Sequence, residues 1–164
     1  MTCFTRCGGF CYPTTPRPIF IFGDCDEGNS IINPVLPTSF GYFVSTGGTA
    51  TANSIIPLTL ASSRGSKITQ STTLGAITLT PGEYEITYSV NGTIPAGGTA
   101  SVALYDNGAL LPNSTTTVSG TAGNNVALTK TVVLTVLATS TLSLQNTTAS
   151  DFTYLNANVL VKEI

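Results

Sequence analysis

Four cysteines stand at positions 3, 7, 11 and 25 of a 164-residue chain, and none follows them. Thiols spaced in this way can form disulfides, hold a metal or run redox chemistry. Together Cys3, Cys7, Cys11 and Cys25 would supply an all-thiolate zinc set. However, C-x3-C-x3-C lacks the common C-x2-C knuckle, and the chain has no histidine. The same lack of histidine removes Ser-His and Cys-His nucleophile systems. Glu83 and Glu85 fall two residues apart on one strand face. An acid/base pair instead sits across a cleft, in environments that separate its pKa values. Asp24, Asp26, Glu27 and Asn29 gather carboxylates, yet an EF-hand begun at Asp24 would place Val35 where its twelfth ligand belongs. No catalytic residue, metal site or cofactor is expected, and the protein is not read as an enzyme. Disulfides remain. Bonds among these cysteines could only staple the N-terminal segment to itself or tie it to another chain. All four are therefore candidates for intermolecular disulfides. An all-thiolate zinc site and a tail of free thiols are the alternatives.

The elements that carry these groups follow from composition. Only 9% of residues are charged, against about a quarter in ordinary soluble domains. The net charge is −2, and the polar surface must come mainly from 29 Thr and 15 Ser. Such a chain lacks the usual protection against association, and self-association is expected. Its six basic residues are scattered, without the patch that nucleic-acid binding needs. No apolar run reaches the length of a membrane span. Gly8, Gly9, Pro13 and Pro16 interrupt the N-terminus, so no signal peptide is visible.

Residues 1–39 hold Pro13, Pro16, Pro18, Pro34 and Pro37, a density that favours an extended arm. Residues 40–164 read as short strands between turn signals. In EYEITYSVNG, Tyr84, Ile86, Tyr88 and Val90 share one face, with Pro81-Gly82 turning the chain in and Asn91-Gly92 turning it out. ASVALYDNG repeats the form with a hairpin signal at Asn107-Gly108. TKTVVLTVL is apolar on both faces and predicts a strand covered on both sides. In the last strand Leu155, Ala157, Val159 and Val161 fall on one face, and Phe152, Tyr154, Asn156, Asn158 and Leu160 on the other. No stretch shows a 3.6-residue period. The fold class is all-β, an antiparallel sandwich or jelly roll of about eight to ten strands.

The run TLTPGEYEITYSVNGT, the hairpin ASVALYDNGALLPNS and the closing ANVLVKEI resemble the C1q/TNF-like jelly roll. The version they are most similar to is the C-terminal domain of the BclA-type glycoproteins on bacterial spore surfaces. Phe40 and Tyr42, entering a first strand, fit as well. That family carries a collagen-like Gly-X-Y stalk, and here the cysteine-bearing arm stands in its place. The resemblance implies a homotrimer and a location on the spore surface or exosporium. It also implies release by mother-cell lysis, with cysteines that oxidise afterwards. Other spore-coat or exosporium proteins are implied partners, and Thr115, Thr116 and Thr117 are implied carriers of O-linked sugar.

For the trimer, Tyr84, Tyr88, Phe152 and Tyr154 are interface candidates, since a ring with a polar tip suits a half-wet interface. The alternative is that Tyr84 and Tyr88 fill the sandwich core. For the arm, a head of this size spans about 35–40 Å, and about 15 extended residues cover about 50 Å. Ile19, Phe20, Ile21 and Phe22 are the docking candidates, able to add a strand to a neighbour's sheet or to begin the head's own first strand. The sequence thus describes a trimeric jelly-roll subunit stacked into a fibre or layer through its arm. The rival reading is a C1q-like head that adheres to a ligand or surface.

Overall fold

The computed structural model describes residues 2–4, 10–12 and 39–164. Backbone contacts divide the chain into the units Met1–Val35 and Leu36–Ile164. In the first, β1 (Thr2–Phe4) and β2 (Phe10–Tyr12) form an antiparallel ladder. Asp24, Asp26, Glu27, Asn29, Cys7, Cys25 and residues 19–22 lie outside the described residues.

The described residues of the second unit form only strands and turns. In chain order these are β3 (Phe40–Ser45), β4 (Gly48–Ala50), β5 (Thr59–Arg64), β6 (Ile68–Gln70), β7 (Ala76–Leu79) and β8 (Gly82–Thr93). They continue with β9 (Thr99–Asp106), β10 (Ala109–Leu110), β11 (Thr116–Ser119), β12 (Asn125–Val136), β13 (Ser140–Asn146) and β14 (Phe152–Glu163). The twelve exceed the expected eight to ten because β4, β6 and β10, of two or three residues each, carry almost no alternation to read. All pairings are antiparallel. One sheet runs β10-β9-β13-β7-β6 with β11 also on β9, and the other runs β12-β8-β14-β3-β5 with β4 also on β14. The chain crosses between sheets repeatedly, which is the wrapping of a jelly roll.

The alternation read in β8 is the core pattern. Tyr84, Ile86, Tyr88 and Val90 are fully buried, and they meet Ile77, Leu79, Val102, Leu104, Leu142 and Leu144 of the opposite sheet. At roughly 1.5–3 kcal/mol for each large apolar side chain, such a layer carries most of the favourable free energy. The Asn107-Gly108 hairpin forms as expected, with φ of 49° and 78°, the positive pair that a tight β9–β10 turn needs.

Three local readings are corrected. Asn91-Gly92 does not end β8; both residues lie inside it. Glycine is there for close packing: a Cβ on Gly92 would stand 2.5 Å from the Thr153 carbonyl oxygen and 2.8 Å from the Phe152 ring. Among the described residues, strand β12 is covered on one side only. It sits at the edge of its sheet, burying Val126, Leu128, Leu134 and Val136 while Val133 stays 64% exposed. Finally, β14 changes register against β8 between Tyr154 and Asn156. Leu155 is the extra residue of a bulge, which breaks the period of two. Phe152 and Tyr154 therefore share the inner face with Ala157, Val159 and Val161, and Leu155 is 59% exposed.

Candidate functional site

The bulge decides where the expected trimer residues lie. Tyr84, Tyr88 and Phe152 are fully buried within a single chain and Tyr154 nearly so, which leaves none of them to a partner. The three tyrosine hydroxyls are satisfied internally, the condition for burying a tyrosine. The Tyr84 hydroxyl donates to the Thr80 carbonyl at 2.7 Å, and Tyr154 shares a 3.2 Å hydrogen bond with Ser45 Oγ. Tyr88 donates to the Ser114 carbonyl at 2.6 Å and lies 2.8 Å from Thr116 Oγ1. Burial raises the Tyr88 pKa above its usual value, and the hydrogen bond with Thr116 opposes the rise.

The surface these four were expected to line is the outer face of the β12-β8-β14-β3-β5 sheet, made by the alternate residues. One row across it reads Thr131, Thr87, Leu160, Tyr42 and Ser62. The next reads Thr129, Ser89, Asn158 and Val44. Neither row holds a charge. Tyr42 is 37% exposed here and stands beside Leu160 in the register. Charge enters in the row Val133, Glu85, Lys162, Phe40 and Arg64, where Lys162 Nζ reaches Glu85 Oε1 at 3.3 Å, and in the row beyond it, where Glu83 stands opposite Thr135. Glu83 and Glu85 thus sit on a strand's polar face, and Glu85 is engaged by a lysine.

The polar groups of this face bond to one another. Thr87 and Thr131 hydroxyls are 2.8 Å apart, Thr129 Oγ1 donates to Ser89 Oγ at 3.1 Å, and Asn91 Nδ2 donates to Asn156 Oδ1 at 2.8 Å. Cross-strand pairs of this kind satisfy polar side chains within the sheet itself. Covering such a face strands few polar groups, so the usual penalty on burying polar surface is small. It is a surface suited to association.

The second feature is the edge of the same sheet. Strand β12 pairs with β8 through twelve consecutive residues without a bulge. Its far side carries no proline and one charge, Lys130, whose Nζ donates to the Thr115 carbonyl at 3.1 Å. Edge strands are commonly blunted by charge, proline or bulges; this one is nearly unguarded.

The described surface also carries depressions. One, of about 400 Å³, is lined by Leu58, Leu60, Gln70, Leu74 and neighbours. Another, of about 260 Å³, is lined by Thr99, Ser101, Thr117, Thr147 and Ser150 among others. No titratable side chain lines either, so neither assembles an acid/base pair. Among the described residues no cluster of three potential metal ligands occurs. In the N-terminal unit, Cys3 stands opposite Cys11 in the β1–β2 ladder.

Sequence reasoning missed Asn146. It is fully buried, and its Nδ2 donates to the carbonyls of Ala50, Thr51 and Ser150 at 3.1, 3.0 and 2.9 Å. Its Oδ1 accepts from Thr148 N and Oγ1 at 3.0 and 2.7 Å. One amide thus ties the end of β13 to the end of β4 and to the loop entering β14. An Asn-Thr-Thr run reads locally as a turn, and nothing in it marks the burial.

No protein-family model matches the chain, and no curated protein matches it. Solved structures do. The Eiger TNF of S. frugiperda superposes with a TM-score of 0.64 at 12% identity, over 78% of this chain and 93% of that one. Murine APRIL gives 0.62 at 12% identity, over 76% and 98%. The globular domain of zebrafish complement 1qA gives 0.58 at 12% identity, over 78% and 96%. At these identities the likeness is one of fold: the chain carries a C1q/TNF-like jelly roll.

Proposed function

We propose that the protein is a structural, self-assembling subunit of a bacterial spore-surface fibre or layer. Its jelly rolls associate as a homotrimer, and its N-terminal arm links each trimer to the next. The observation that carries the reading is the outer face of the β12-β8-β14-β3-β5 sheet, uncharged over two rows and hydrogen-bonded within itself. Depletion of charge at the centre is what distinguishes an interface core from ordinary surface. The arm supplies the second contact: Ile19, Phe20, Ile21 and Phe22 dock as an added strand on a neighbour's open sheet edge, for which the long, unbulged β12 is suited. Disulfides from the arm then lock the stack. The spore location and exosporium partners rest on the resemblance to BclA-type heads.

The face is tested by pairing Tyr42→Glu with Leu160→Lys. The two positions are cross-strand neighbours, so the variant gains an exposed ion pair worth at most about 1 kcal/mol and keeps its fold. With residues 1–25 removed from both, sedimentation should report a single chain for the variant and three times that mass for the unsubstituted head. A trimer that survives both changes would remove this face from the account.

A further inference from the structure

We propose that Cys3 and Cys11 form a disulfide within one chain, across the β1–β2 ladder. Resting on the fibre reading above, links between chains then fall to Cys7 and Cys25. The carrying observation is the register: Thr2 opposite Tyr12, Cys3 opposite Cys11, Phe4 opposite Phe10. Residues directly opposed in an antiparallel pair have Cα atoms about 4.5–5.5 Å apart, whichever hydrogen-bonding class they fall in. A disulfide spans Cα separations of about 4.4–6.8 Å. The backbone therefore already holds these two positions at bridging distance. In the sequence Cys7 falls four positions from Cys3 and four from Cys11.

Stability and kinetics point the same way. Two strands of three residues are too short to persist unaided. Small units without a core of their own are commonly held by a covalent staple. Closing a loop of about ten residues takes about 10–100 ns, and a partner on the same short segment acts at an effective concentration in the mM range. Encounters between chains at ordinary concentrations are far rarer. Cys3 and Cys11 therefore find each other before either finds a neighbour.

The chemistry is thiol–disulfide exchange with a low-molecular-weight disulfide such as oxidised glutathione. One protein thiolate attacks a sulfur of the small disulfide, forming a mixed disulfide and expelling one small thiolate. The second protein thiolate attacks the mixed disulfide at the protein sulfur and expels the other. Two cysteine thiols are oxidised to one disulfide, and one small disulfide is reduced to two thiols, which carry away both protons.

The test uses the full chain. Unlabelled and 15N-labelled copies are mixed reduced, oxidised with glutathione disulfide, alkylated, and cut with trypsin and chymotrypsin. Cleavage after Phe4, Arg6 and Phe10 places Cys3, Cys7 and Cys11 on separate peptides. The expected product joins the Cys3 peptide to the Cys11 peptide, both halves always of one isotope. A Cys3 bond to Cys7 or Cys25 would overturn the proposal, as would a mixed-isotope Cys3–Cys11 product or alkylation of all four thiols. A Cys7→Ser/Cys25→Ser variant should retain the single-isotope Cys3–Cys11 product; loss of that product would also overturn it. The pairing and the fibre reading fail separately. A single-isotope Cys3–Cys11 bond with Cys7 and Cys25 fully alkylated upholds the pairing and removes covalent linkage between copies.

Discussion

Replacing Asn146 separates a structural amide from an ordinary loop asparagine. Its two amide protons serve three backbone carbonyls, so at least one contact is shared, and its oxygen takes two donors from Thr148. Asn146→Ala removes all five contacts and leaves at least one buried carbonyl, that of Ala50, with fewer partners. A buried polar group without its partner costs about 1–3 kcal/mol, so the alanine variant should lose about 2–4 kcal/mol. Asn146→Asp is the sharper test. It keeps the shape and the oxygen facing Thr148 but turns a second oxygen toward three carbonyls. Burial and those carbonyls disfavour the ionised form and raise the folded pKa of the new carboxyl above the unfolded value of about 3.9. A group that binds its proton more tightly when folded destabilises the fold progressively as pH rises past the unfolded pKa. The aspartate variant should thus be less stable than the alanine variant at pH 7 and recover toward it near pH 4. Denaturant unfolding followed by circular dichroism, at one protein concentration and both pH values, reads the difference. An aspartate variant as stable as the parent at pH 7, or with the same deficit at both pH values, would refute the reasoning.

Stability should fall above about pH 10. Burial raises the Tyr88 pKa, and the hydrogen bond to Glu163 raises that of Lys67. Each group holds its proton more tightly folded than unfolded, so its contribution is whole below the unfolded pKa and lost as pH rises through the folded one. Thermal melts between pH 8 and 11.5 should show the fall, with a shallower slope in Tyr88→Phe. Leu155→Ser should change stability by less than about 0.5 kcal/mol, whereas Phe152→Ala should cost about 3–5 kcal/mol; urea midpoints of the two variants check the bulge directly. Gly92→Ala, whose Cβ would meet the Thr153 carbonyl oxygen at 2.5 Å, should lose about 1–3 kcal/mol in the same assay.

Which features were legible in the sequence follows from how local their causes are. Strand β8 is readable because its alternation and its burial have the same period. So is the β9–β10 turn, because Asn-Gly is itself the residue pair that positive φ requires. Strand β12 misleads: apolar residues on both faces usually mean two covering layers, but among the described residues only the inner face is covered. In β14 a single bulge at Leu155 reassigns Phe152 and Tyr154 to the core, and a count of alternate residues cannot register an added one. Gly92 imitates a turn signal because glycine serves both turns and close packing. The candidate face escaped for the same reason as the bulge, since Tyr42, Leu160 and Thr87 meet only once the β8-β14-β3 register is known. The opposition of Cys3 and Cys11 likewise depends on a register that three-residue strands do not announce.

As proposed, this jelly roll is a polymer subunit joined through its first residues. Negative-stain microscopy tests it on four samples: the full chain with and without reductant, a Cys3/Cys7/Cys11/Cys25→Ser variant, and a chain lacking residues 1–25. The account predicts fibres from the oxidised full chain that withstand heat and detergent. Reduced and serine-substituted fibres should dissolve under the same treatment, and the truncated chain should give only isolated heads. Isolated heads from the full chain under every condition would contradict it and leave a binding head in place of a fibre subunit.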